Sequence, residues 1–205
     1  EGFNTVQYVP NFMYWSFRSE MDKAVKMLEL VVDTAHRKGL RVVLHIDIPV
    51  VTMMSNGLAN FRQNPDWLTR DVRFRNPNLS SVCLNHPEFN RKLIADLKRF
   101  AATKIDGIML DECYWQREDL CGCQHCADAF AKATGEKLPL DSSSSTFQNL
   151  NDPLWVKWLQ WRQKSIAEWD RMIMNALREV NPTIENVTYI AQLGGVTGGL
   201  IGRQW

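Results

Sequence analysis

With 205 residues, 45% hydrophobic and 23% charged, the chain has the composition of a globular domain with a sizeable core. A net charge of +1 supplies no field to hold nucleic acid or an anionic membrane surface, and no apolar run approaches the roughly 20 residues that span a bilayer. The chain opens on Glu1 rather than Met, so it reads as a processed form or a piece of a longer chain.

Phe3 to Tyr8 (FNTVQY) alternates and carries β-branched residues, which predicts a short strand followed by an aromatic-rich loop. Ser19, with Asp22 three positions on, reads as a capping-box variant opening a helix. Its apolar positions Met21, Ala24, Val25, Leu28, Val31, Val32 and Ala35 recur at helical spacing, and Gly39 closes it as a left-handed cap. Leu40 to Ile46 (LRVVLHI) predicts a strand buried on both faces, as in a parallel sheet. From Asp47 to Asn85 no period is sustained and Pro49, Gly57, Pro65 and Pro77 interrupt, so a long excursion with one short helical piece is expected.

Pro87 opens a second helix striped by Phe89, Leu93, Ile94, Leu97 and Phe100. The strand Gly107 to Leu110 follows and runs into Asp111 and Glu112. A cysteine-rich excursion comes next, with a short helix over Cys126 to Thr134 closed by Gly135. Asp152-Pro153, a cap followed by proline, opens the longest helix, striped by Trp158, Ile166, Trp169, Ile173, Ala176, Leu177 and Val180 and stopped by Pro182. The last predicted strand is Val187 to Gln192.

The order β-α-β-α-β-α-β implies parallel strands with right-handed crossovers. A doubly wound sheet and a (β/α)8 barrel both satisfy it, and the polar candidates favour the barrel. His45 and Asp47 follow the second strand, Asp111 and Glu112 the third and Gln192 the fourth, and parallel strands gather such residues on one rim. A carboxylate pair ending an apolar strand is costly unless it is solvated, paired or used. Tyr14, Trp15 and Trp115 also follow strand ends and are candidates for lining a sugar cleft, with loop packing as the plainer role.

Of five cysteines, Cys83, Cys113, Cys121, Cys123 and Cys126, three lie within six residues, which suits a disulfide framework poorly and a metal well. The CxCxxC run from Cys121 to Cys126 lets three thiolates converge on one ion. A structural zinc takes four sulfur or nitrogen ligands, leaving Cys83, Cys113 or His125 for the fourth place. Full sulfur ligation leaves no position for a catalytic water. The neutral charge, without Lys/Arg clustering near the run, argues against a nucleic-acid-binding knuckle.

The stretch resembles glycoside hydrolase family 42, the β-galactosidase family, and the barrel hydrolases that share its middle portion. In that family an Asn-Glu pair ends the fourth barrel strand, and CxCxxC-A-x-x-F follows nine residues after the Glu. Here Glu112 and Cys121 are nine positions apart, and Cys126-Ala-Asp-Ala-Phe130 continues the match. Cys83-Leu-Asn-His-Pro-Glu-Phe-Asn-Arg91 resembles the family's upstream segment, with a cysteine shortly before a proline and an arginine. GFNTVQ is similar to its second strand, and Pro65-Asp-Trp67-Leu68 also resembles the family.

The resemblance covers most of residues 2–135. It implies an α/β fold, a partial TIM barrel of about strands 2–5, forming a single catalytic domain over 1–205 with a zinc-binding insertion at about 113–150. Cys83, Cys121, Cys123 and Cys126 become ligands of a structural zinc, and Glu112 the acid/base of a retaining hydrolase whose nucleophile lies beyond Trp205. Asp111 stands where the family has an Asn that donates to the sugar 2-hydroxyl. An ionised Asp only accepts, which leaves the sugar open, and like-charge repulsion from Asp111 would suit a general acid. Asp111 therefore joins Glu112 as a catalytic candidate. Asp47 is a further candidate for the second carboxyl, and His45, Asp47, Tyr14, Trp15, Trp115 and Gln192 are substrate-contact candidates.

The expected partner is a carbohydrate substrate, with no nucleic acid and no membrane. Homo-oligomerisation or dependence on the rest of the barrel is expected as well, because a half-barrel exposes sheet edges. A thiolate zinc site favours the cytoplasm. The competing function is a catalytically silent carbohydrate-binding or scaffold barrel.

Overall fold

The structure, a computed structural model, describes residues 2–10, 14, 18–49, 64–115, 117, 119–138 and 143–187. In chain order its elements are β1 (Thr5–Tyr8), α1 (Met21–His36), β2 (Arg41–Asp47), β3 (Leu68–Arg70), β4 (Pro77–Val82), α2 (Pro87–Ala101), β5 (Gly107–Asp111), α3 (Gln124–Thr134), α4 (Pro153–Arg178) and β6 (Glu185–Val187). The main sheet is entirely parallel, in the order β1-β2-β5-β6. Each strand lies beside its predecessor in the sheet, with helices between them and no reversal of order. That is a singly wound arc, as in a (β/α)8 barrel, rather than the switch point of a doubly wound sheet.

The two faces of this arc differ as the sequence dictates. Val42, Leu44, Ile46 and Ile108 alternate onto one face and are fully buried. α1 packs on β2, and α2 lies between α1 and α4. The opposite face carries Gln7, His45, Asp47, Met109 and Asp111, because the register sets His45 beside Met109 and Asp47 beside Asp111. Among the described residues no helix is long and apolar enough to cross a membrane.

The helices follow the predicted stripes, with differences at their ends. α1 is preceded by a 3-10 turn over Arg18–Glu20, and its N-cap is Glu20, with no side-chain cap bond. Ser19 lies inside that turn, one position too early to cap, and Asp22 instead pairs with Arg99 of α2. Gly39, at φ 70°, closes α1 as expected. Leu40 N–H reaches Ala35 O at 3.0 Å and Gly39 N–H reaches His36 O at 2.9 Å, the paired closure of a Schellman turn.

α2 begins at Pro87, with His86 as its cap accepting from Phe89 N–H. α4 begins at Pro153, where Asp152 accepts from Leu154 N–H at 2.9 Å. Its buried face is aromatic: Trp158 stacks on Trp161 at 4.9 Å, and Phe130 of α3 meets both edge-on. Val180 lies past the helix end and is exposed.

The excursion after β2 is not wholly irregular. Pro65–Trp67 is the short helical piece, and β3 and β4 form an antiparallel hairpin that the sequence reading missed. β3 has only three residues, too few to show a period, and Pro77 sits at the first position of β4, where a missing donor is tolerated.

Leu44 is fully buried beneath the helices. Leu44→Ala is expected to destabilise the full-length protein by about 2–5 kcal/mol in denaturant unfolding, the transfer and cavity cost of such a truncation.

Candidate metal centre and active-site rim

Four buried cysteines converge beside the rim. Cys83 follows β4, Cys121 and Cys123 lie in the loop after β5, and Cys126 is in the first turn of α3. Their sulfurs all lie within 4.8 Å of one another, and Cys83 Sγ stands 3.5 Å from both Cys123 Sγ and Cys126 Sγ. A tetrahedral ion with metal–sulfur bonds of about 2.3 Å needs sulfurs about 3.8 Å apart, so the set has the spacing to hold a metal ion. Of the three candidates for the fourth place, Cys83 fills it. Cys113 instead directs its thiol to Asp111 O at 3.3 Å, and His125 packs edge-on against His86 at 4.5 Å.

The thiols perturb each other. Hydrogen bonding with Cys121 and the other thiols raises the Cys83 pKa well above the ordinary thiol value, and burial does the same for Cys126. Thiols donated by Cys121, Cys126 and Cys83 push Cys123 strongly down. Two amide donors lie on the other sulfurs, Arg70 N–H on Cys121 and the Asn85 side chain on Cys126, each at 3.4 Å. Such N–H···S contacts are the outer support of a thiolate site.

The surrounding backbone explains the convergence. Val72 N–H bonds Asp119 O at 2.9 Å and Gly122 N–H bonds Arg70 O at 2.6 Å, with a bridge between Asp71 and Leu120. The loop after β5 thus lies along the hairpin that follows β2. The hairpin's turn is held by Asp71, whose carboxylate accepts from Phe74 N–H and Asn76 N–H. Gly122 is the residue this approach requires: a Cβ there would sit 2.6 Å from Val72 Cα and 2.7 Å from Asp71 O.

On the rim, β2 and β5 end together at Asp47 and Asp111. Gln7 Nε2 lies 2.6 Å from His45 Nδ1, and His45 Nε2 lies 3.0 Å from Asp111 Oδ2. Asp111 Oδ1 accepts from Glu112 N–H at 2.8 Å. Glu112 is half-buried and adopts φ 56°, the left-handed region, which costs a non-glycine residue about 1–3 kcal/mol and recurs at functional sites. Asp47 is 1% exposed, Asp111 6% and His45 8%.

The structure therefore brings His45, Asp47, Asp111 and Glu112 to one rim. It does not bring Tyr14 or Trp115 to a cleft, which corrects the sequence reading. Tyr14 is buried and donates to Asp96 Oδ2 of α2 at 2.5 Å; burial, then Asp96, raises its pKa. Trp115 is 1% exposed, its Nε1–H donates to Arg162 O at 3.2 Å, and the Arg162 guanidinium stands 5.9 Å from its ring. Neither ring presents a face to a sugar, because packing against the helix layer took both. Trp15 and Gln192 lie outside the described residues. Gln7 was not foreseen; its only signal was a polar residue inside an otherwise mixed strand.

The sequence profile described as glycosyl hydrolase-like 10 matches residues 4–189. The chain belongs to the glycosyl hydrolase-like 10 family. Among curated proteins none matches.

Solved structures similar to this glycosyl hydrolase-like 10 chain include three β-galactosidases. That from Rahnella sp. R3 is 16% identical with a TM-score of 0.59, over 90% of this chain and 31% of its own. That from Bacillus circulans sp. alkalophilus is 13% identical with a TM-score of 0.63, over 90% and 32%. The family GH42 enzyme from G. stearothermophilus is 17% identical with a TM-score of 0.63, over 90% and 31%. The likeness is one of fold, that of TIM-barrel glycosidases, and the chain spans about a third of the length of these relatives. The glycosyl hydrolase-like 10 chain accordingly has the fold of part of a TIM barrel.

Gly122→Ala is expected to force the cysteine loop off the hairpin. Titration with a thiol reagent under native conditions should then show the cluster sulfurs reacting at least tenfold faster than in the unaltered protein. An unchanged rate would contradict the close approach.

Proposed function

We propose that the chain supplies the acid/base side of a glycoside hydrolase active site, with Glu112 as the proton donor. A structural zinc on Cys83, Cys121, Cys123 and Cys126 would hold the loop that carries it. One observation carries the reading: Glu112 is the first residue past β5, in left-handed backbone, at the strand end where barrel enzymes keep their chemistry. The cysteine loop begins nine positions later and is tied to the neighbouring excursion.

Cleavage of a glycosidic bond needs one carboxyl to protonate the leaving oxygen and a second to attack the anomeric carbon or activate water. Glu112 performs the first task and, in the retaining sequence that the resemblance to family 42 implies, removes a proton from water in the second step. The second carboxyl is not Asp47 or Asp111, since the former is 1% exposed and the latter is occupied by His45 and Glu112 N–H. It comes from elsewhere in the full-length protein. With all four positions taken by sulfur, such a zinc would have no open site for water and would supply structure alone.

Three similar solved structures are β-galactosidases, so aryl β-galactosides head the substrate panel for the full-length protein. Colour release is expected, and Glu112→Gln should lower kcat/KM by about 10²–10⁴ while leaving the thermal transition in place. Full activity in that variant would refute the role of Glu112. A protein that keeps its metal but turns over no glycoside would instead be a silent carbohydrate-binding barrel.

Elemental analysis is expected to find one zinc per chain, lost in Cys83→Ser together with several degrees of Tm. Retention of stoichiometric zinc in that variant would contradict the ligand set.

A further inference from the structure

Asp111 occupies a position that carries a substrate-binding amide in family 42, yet its surroundings give it different work. Its side chain is 7% exposed, and both oxygens are engaged within the protein. Oδ2 faces His45 Nε2 at 3.0 Å, and Oδ1 accepts from the next residue's own N–H at 2.8 Å. We infer that Asp111 is a positioning residue: its carboxylate clamps the left-handed backbone of Glu112, and Gln7 and His45 hold that carboxylate in place. The inference rests on the acid/base role proposed for Glu112.

The hydrogen-bond polarity of the relay is self-consistent. Gln7 Nε2 lies between His45 Nδ1, at 2.6 Å, and the sulfur of Met109, at 3.6 Å. As an amide nitrogen it donates to both, so Nδ1 is the acceptor and the ring hydrogen sits on Nε2. His45 Nε2–H then donates to Asp111, which as a carboxylate accepts from both His45 and Glu112 N–H. The relay crosses three adjacent strands, because Gln7, His45 and Asp111 share the face of the sheet opposite the helices.

The spacing explains why aspartate suits this place. Its side chain is short enough to turn back onto the following N–H, which pins the peptide that enters Glu112. A carboxyl donor has to be held to a fraction of an ångström, and a misplacement of about 1 Å can cost 10²-fold in rate. With that N–H bonded to Asp111, the peptide entering Glu112 is tied to the end of β5.

The test separates this role from a chemical one. Asp111→Asn keeps a carbonyl oxygen for Glu112 N–H. It also offers N–H to His45, which accepts once the ring hydrogen moves to Nδ1 and Gln7 turns its own oxygen there. Asp111→Ala keeps neither bond. In the full-length protein, kcat on the best aryl glycoside is expected to fall about 10²-fold in Asp111→Ala with KM little changed, and by no more than about fivefold in Asp111→Asn. Hydrogen–deuterium exchange of the peptide spanning residues 110–114 should accelerate in the alanine variant and stay slow in the asparagine variant.

If Asp111→Asn is as inactive as Asp111→Ala while exchange is unchanged in both, Asp111 acts chemically and the clamp is overturned. Unchanged exchange in Asp111→Ala overturns it whatever the activity. Should Glu112→Gln prove fully active, the acid/base reading fails by itself, and the exchange comparison still decides the clamp. If Asp111→Ala does not fold, His45→Leu serves instead. It should lower kcat about tenfold and loosen the same peptide, and no change in either would overturn the inference.

Discussion

The convergence of Cys83 with Cys121, Cys123 and Cys126 ties together two pieces of chain that neither helix packing nor the main sheet would align. One is the hairpin after β2; the other is the loop after β5. Each is too short to build a core, and only a few backbone bonds run between them, Gly122 to Arg70 and Val72 to Asp119 among them. Four buried sulfurs within 4.8 Å concentrate the remaining specification at one point. Left as thiols they crowd one another, and the same contacts push the pKa of Cys83 and Cys126 up and that of Cys123 down. A dication placed among them relieves that conflict, and for structural zinc the binding free energy becomes folding free energy.

The rim is built on the same economy of contacts. The helix-side face of β2 is apolar and buried at Val42, Leu44 and Ile46, so that strand is fixed from outside, and the opposite face carries the polar groups. His45 and Asp111 are nonetheless nearly inaccessible and engaged with each other, with Gln7 behind them. Glu112 is the member of the group that emerges, half-buried and on strained backbone. Five of the described tryptophans do other work: Trp155, Trp158, Trp161 and Trp169 belong to the buried face of α4, and Trp115 packs against Arg162.

Much of this was legible in the residues, for identifiable reasons. α1, α2 and α4 each bury one face, so their apolar positions repeat at helical spacing. β2 and β5 are largely buried and read as apolar runs. The strand-end carboxylates stood out because an apolar run rarely ends in two charges. The cap at Ser19 was misplaced because a 3-10 turn intervened, which leaves no mark in sequence spacing. The hairpin was missed because β3 is three residues long. Tyr14 and Trp115 were misjudged because an aromatic residue after a strand looks the same whether it faces a cleft or a helix. Cysteine spacing alone left the fourth ligand open among three residues; resemblance pointed to Cys83, and its sulfur lies with the other three.

The central claim is that one ion on four sulfurs holds the two rim excursions together. X-ray absorption at the zinc edge of the purified full-length protein tests it most directly. The account predicts a single shell of four sulfurs at about 2.3 Å, with no nitrogen or oxygen in the first shell. A shell containing light atoms, or a protein that is folded and metal-free with four titratable thiols, would contradict it.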